Sequence, residues 1–161
     1  MGEERFKMES AINQGHPNPG FETVFTVTEY YDGPRVGVAN YCGKPHFYEC
    51  IFDEDLDTYT ESFWLTPISE ETFRLTMEDW TIWRRWEFAF HAGKVGLDTH
   101  PALPPDSKRC EELKTVLKER LKTSPSCSLK LHGEFTAIEG ADLPKGVLRP
   151  LQVLWTSPIS E

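Results

Sequence analysis

From Phe21 onward, apolar and polar positions alternate with a period close to two. Phe21, Thr23, Phe25 and Val27 fall on one side, and Glu22, Val24, Thr26 and Thr28 on the other. Such alternation marks a strand with one buried face. Asp32-Gly33-Pro34 carries strong turn chemistry and ends it. Arg35 to Tyr41 reads as a second strand, weakened by Gly37, and Cys42-Gly43-Lys44-Pro45 as the next turn. His46 to Phe52 is then a third strand, rich in aromatics. Connections this short permit only antiparallel pairing, so the three strands form a meander. Asp53 to Glu61 reads as an acidic loop, and Ser62 to Pro67 as a brief fourth strand.

Beyond Ile68 the period changes to that of a helix. Ser69 is placed to cap it, and Glu70 and Glu71 set negative charge in the first turn, where the helix dipole favours it. The helix runs to about Ala92, with Gly93 as its stop, a length of about 35 Å. Phe73, Met77, Trp80 and Trp83 form one apolar stripe, and Leu75, Ile82, Trp86 and Phe90 its neighbour. Together they make a face wide enough to pack across a sheet. A Gly/Pro-punctuated connection follows. Asp106 is the expected cap of a second helix, Ser107 to about Lys122, with Cys110, Leu113, Leu117 and Leu121 as its stripe. Ser128 to Ile138 alternates again, and Leu148 to Trp155 reads as a final strand.

Four strands, two helices and two strands in that order give an α+β class. The expectation is about six short, mostly antiparallel strands with both helices inserted between strands four and five. A small barrel and a strongly curved open sheet fit the pattern equally. Residues 1–20, polar and carrying Gly15, Pro17, Pro19 and Gly20, read as a mobile tail before a single domain over 21–161.

Composition narrows the partners. In 161 residues, 26 acidic side chains face 17 basic ones, a net charge of −9. That sign repels phosphate backbones and anionic lipid, so neither nucleic acid nor membrane is an expected partner. The basic residues Arg84-Arg85 and Lys108 to Lys122 are interleaved with acids, as on a solvated helix face. No stretch reaches the roughly 18 consecutive apolar residues of a membrane span, and no secretory signal is read at the start. The expected location is the cytoplasm, with Cys42, Cys50, Cys110 and Cys127 reduced.

The loop from Asp53 to Glu61 has alternating carboxylates but lacks the glycine and glutamate of an EF-hand. Cys42, His46 and Cys50 are spaced four apart, yet no fourth ligand or tight knuckle accompanies them. No metal and no cofactor are expected. A nucleophile elbow, a phosphate loop and a dinucleotide fingerprint are all missing from the sequence.

Two constellations remain. Tyr31, Arg35, Tyr41, His46 and Tyr48 lie on or beside the first hairpins, where neighbours on one strand face are about 5 Å apart. With Trp80 of the helix they form the expected ligand-binding set of an aromatic-polar surface. Asp79 lies on the edge of the apolar helix face among tryptophans; with His46 and Glu49 it is a candidate catalytic group. Three functions follow as expectations: a binding domain for a small ligand or protein, a small hydrolase using a carboxylate and a histidine, and a structural subunit of a homo-oligomer.

The stretches Tyr30-Tyr31-Asp32-Gly33-Pro34-Arg35, Gly43-Lys44-Pro45-His46, Glu78-Asp79-Trp80 through Trp86, and Thr99-His100-Pro101-Ala102-Leu103-Pro104 together resemble bacterial proteins of uncharacterised function. The similarity spans roughly Tyr30 to Leu121. It implies a bacterial cytosolic origin and assigns no functional residue.

Overall fold

In the computed structural model, which describes residues 16–140 and 142–158, six antiparallel strands close into a barrel in sequential order. The strands are β1 (Glu22–Tyr30), β2 (Pro34–Tyr41), β3 (Lys44–Asp53), β4 (Thr58–Pro67), β5 (Leu129–Ala137) and β6 (Leu151–Thr156). Between β4 and β5 the chain forms α1 (Glu70–His91) and α2 (Ser107–Arg120), joined through two short 3-10 turns. Closure settles the choice that the alternation pattern left open. Most of the tail expected over residues 1–20 falls outside the described residues.

The barrel is a packed core. Tyr48 and Leu65 have no exposed surface, nor does Val153; Ala39, Cys50, Phe63 and Leu131 are buried with them. Phe63, Phe135 and Trp155 meet in edge-on or tilted pairs with ring centroids 5.3–5.6 Å apart, and all three pack on Tyr48. An interior of this size is filled by its own side chains. The Tyr48 hydroxyl still finds a partner, donating to the Thr26 carbonyl 2.9 Å away. Gly37 makes this approach feasible. A Cβ there would lie 2.1 Å from the Thr26 oxygen and 2.6 Å from the Tyr48 hydroxyl.

The helices form a second, smaller core beside the barrel, built from Ile82, Ala102, Cys110, Leu113 and Leu117. Phe73 of α1 meets Phe25 of β1 edge-on at 4.7 Å. Ser69 caps α1 as its sequence predicts, accepting from the Thr72 N–H, and Gly93 follows the C-cap with φ near 75°. Asp106 occupies the expected N-cap of α2 but makes no side-chain cap bond. Its carboxylate is taken by Arg85, which donates from Nε and Nη2 at 3.1 Å each.

Two strand boundaries move. β4 begins at Thr58, so the acidic loop contracts to a tight turn in which Asp53 accepts from the Asp55 and Leu56 N–H groups. β6 begins only at Leu151, because Pro150 offers no N–H to a ladder and the Leu148 N–H is drawn to Glu87 instead. No helix among the described residues is long and apolar enough to cross a membrane.

Candidate ligand-binding cleft

Barrel closure is thinnest between β1 and β6, which pair only through Glu22–Val153 and Thr23–Gln152. Beyond that seam α1 lies across the wall of β1, and Trp80 separates two spaces. Behind it is a cavity of about 140 Å³ bounded by Phe25, Met77 and Arg84. In front is an open cleft of about 480 Å³, with Val27, Thr28 and Tyr30 of β1 on one side and Trp80 and Trp83 of α1 on the other. Pro101, Lys114 and Leu148 complete its rim.

Helical spacing brings the polar groups of the cleft together. Asp79, Trp83 and Glu87 recur every four residues and so stand one above another on a single stripe of α1. Asp79 is buried, and its Oδ2 accepts from Lys114 Nζ of α2 at 3.0 Å. Its Oδ1, closed off from solvent, has no hydrogen-bond partner among the described residues. A buried acceptor left alone costs about 1–3 kcal/mol, and such a group in a folded protein calls for an explanation.

Glu87 presents the contrasting case. Arg84 donates to one carboxylate oxygen and the Leu148 N–H to the other at 2.8 Å. Burial raises the Glu87 carboxyl above its ordinary pKa, against the opposing pull of Arg84 and the Leu148 N–H. Burial likewise depresses the Arg84 guanidinium, with Glu87 opposing. That guanidinium lies 5.8 Å from the Trp80 ring centroid and 5.2 Å from that of Phe88. Its Nε, like Asp79 Oδ1, is buried and unpartnered among the described residues.

The loop bearing His100 and Pro101 is tied to α1. Trp86 Nε1 donates to Thr99 Oγ1 at 2.8 Å, and the Trp86 ring meets His100 edge-on at 4.6 Å.

The residues singled out from sequence are distributed over four places. Tyr31 and Arg35 sit together at the β1–β2 turn. Arg35 donates to the Tyr31 and Asp32 carbonyls at 2.7 and 2.9 Å, and its guanidinium covers the Tyr59 ring at 4.5 Å. Tyr41 and His46 meet edge-on, with centroids 5.5 Å apart, at the opposite end of β2, where His46 Nδ1 lies 2.8 Å from the Lys44 carbonyl. Tyr48 is sealed inside the barrel, since β3 turns it inward. Trp80 lines the cleft.

A single hairpin surface uniting all five hairpin residues is therefore not formed. The proposed catalytic trio is separated too. Asp79 is on α1, His46 is in the turn region of β3, and exposed Glu49 accepts from Thr123 Oγ1 at 2.7 Å. Cys50 is buried in the barrel core and Cys110 between the helices, whereas Cys42 and Cys127 are exposed. Among the described residues no group of three His, Cys, Asp or Glu side chains could hold a metal ion.

Trp83, which shares the cleft with Asp79, and Lys114, which pairs with it, are not among the site residues that the sequence singles out. The 79–83–87 spacing was a usable signal for the first. For Lys114 the signal was fainter: it stands beside Leu113 and one turn after Cys110, at the edge of the buried stripe of α2. Comparison with family models, curated proteins and solved structures finds no match.

Proposed function

We propose that the chain is a cytosolic small-ligand-binding domain whose site is the cleft between α1 and β1. The observation that carries this reading is the under-bonded, buried carboxylate of Asp79, held by Lys114 alone at the edge of an open concavity lined by Trp80, Trp83 and Tyr30. Ligand sites are typically concave and largely apolar, of about 300–1,000 Å³, with a few polar groups that fix orientation. The cleft fits that description. The barrel interior does not, because Tyr48, Phe63, Phe135 and Trp155 occupy it. The two exposed free thiols, Cys42 and Cys127, support a reducing compartment.

Amide mapping by NMR with phenol, a neutral ring small enough for the cleft, tests the site. Saturable shifts are expected at Val27, Thr28, Gly146 and Leu148 and at the Trp80 and Trp83 indoles. Shifts scattered over the surface, or confined to the β1–β2 turn, would remove the proposal.

A second reading, as a protein-binding module, is favoured by one observation. Tyr31 is 73% exposed and packs beside Tyr59, which itself meets half-exposed Phe52, at one end of the barrel. Here Tyr31→Ala would abolish capture of a partner while leaving phenol binding in the cleft unchanged.

A further inference from the structure

Resting on the cleft as the ligand site, we propose that its ligand is a primary or secondary organic ammonium, with the charged nitrogen taken by Asp79 and the apolar body held against Trp80 and Trp83. The two carboxylates of the cleft differ in how fully they are bonded. Glu87 has both oxygens engaged, by Arg84 and by the Leu148 N–H. Asp79 has only one engaged, by Lys114. Because Oδ1 is sealed from solvent, the oxygen that Asp79 offers a ligand is Oδ2, held by Lys114 alone, and a charged donor answers such an under-bonded carboxylate best.

The walls favour the same charge. Trp80 and Trp83 lie 5.0 Å apart at 30°, beside Tyr30, and ring faces attract cations. Trp80 already takes part in one such contact, with Arg84. The chain's net charge of −9 raises the local concentration of cations over anions. An ammonium with no N–H would satisfy the rings but leave Asp79 Oδ2 without a donor once Lys114 had moved, which is why a primary or secondary amine is preferred.

Lys114 supplies the means of entry. Its side chain is 51% exposed while that of Asp79 is 12% exposed, so the lysine head can swing into water and leave the carboxylate to an incoming ammonium. Lys114 then acts as an internal stand-in for the ligand's own cation. Removing it should strengthen binding, which a merely structural lysine would not do.

Benzylammonium, benzyl alcohol and benzoate share one ring and differ in charge, so calorimetric titration of the three into the full chain at low salt isolates the nitrogen. Benzylammonium is expected to bind about tenfold or more tighter than benzyl alcohol, the size of a charge-assisted hydrogen bond, with benzoate weakest. Asp79→Asn should remove that preference, bringing benzylammonium down to the level of benzyl alcohol, and Lys114→Met should tighten benzylammonium binding. Equal binding of ammonium and alcohol in the wild type, or weaker ammonium binding in Lys114→Met, would overturn the charge assignment while the cleft itself stood as a site for neutral ligands. Saturable binding by none of the three would overturn both.

Discussion

Lys114 Nζ approaches Asp79 Oδ2 to 3.0 Å, joining α2 to α1 across the rim of the cleft. The lysine end is half in water. Solvent screens the lysine end, so the charge attraction itself contributes little. Asp79 is buried, however, and Lys114→Met leaves its carboxylate without a donor, so about 1–3 kcal/mol of stability should be lost in urea titration. A loss that saturating benzylammonium does not recover would make Lys114 a structural strut and remove its role as a displaceable cation.

The Arg84–Glu87 pair is different in kind, since both partners are buried. Arg84→Met strands an almost wholly buried carboxylate, and about 3–5 kcal/mol of stability should be lost. Arg84→Met/Glu87→Gln should recover most of that loss. Glutamine carries no charge to strand, and its carbonyl still accepts the Leu148 N–H. Chemical denaturation of the single and double variants checks the ordering, and a double variant no better than the single one would contradict it.

Glu87 also predicts a pH dependence. Its folded pKa is raised by burial, so between the ordinary carboxylate value and that raised value the folded chain binds more protons than the unfolded one. The contribution to stability is fully present below the unfolded pKa and is lost as pH rises through the folded pKa. Carboxyl-carbon NMR should show Glu87 titrating above ordinary glutamates. In Arg84→Met the midpoint should move higher still, because the opposing guanidinium is gone.

Inside the barrel, Gly37→Ala should be severely destabilising. Its Cβ would meet the Thr26 carbonyl at 2.1 Å, a backbone atom that cannot swing aside. Overpacking typically costs about 1–3 kcal/mol or more, read as a fall in thermal midpoint. Tyr48→Phe keeps the ring and loses only the bond to Thr26, an expected cost of about 1–3 kcal/mol for the carbonyl left alone. Equal stability of Gly37→Ala and wild type would mean that β1 and β2 separate more easily than their packing indicates.

Much of the architecture was legible from local chemistry. Alternation located β1 and β5, turn chemistry and aromatic content the strands between, Ser69 and Gly93 bracketed α1, and Asp32-Gly33 and Cys42-Gly43 marked the hairpin turns that the structure makes. Closure was not legible, because it depends on two residue pairs between strands more than a hundred residues apart. The site was legible only in part. Asp79 and Trp80 stood out by their neighbours, but Tyr48 and Tyr31 look alike in sequence, and only the barrel's curvature decides that one is core and the other surface. Lys114 reaches Asp79 from 35 positions away, and its place at the edge of the α2 stripe does not say which group it meets.

A crystal of the full chain soaked in benzylammonium puts the cleft to the most direct test. One ordered molecule is expected against Trp80 and Trp83, its nitrogen within hydrogen-bond reach of the Asp79 carboxylate and the Lys114 head moved away. Density at the Tyr31–Tyr59 end instead, or a cleft left empty with Lys114 still on Asp79, would contradict it.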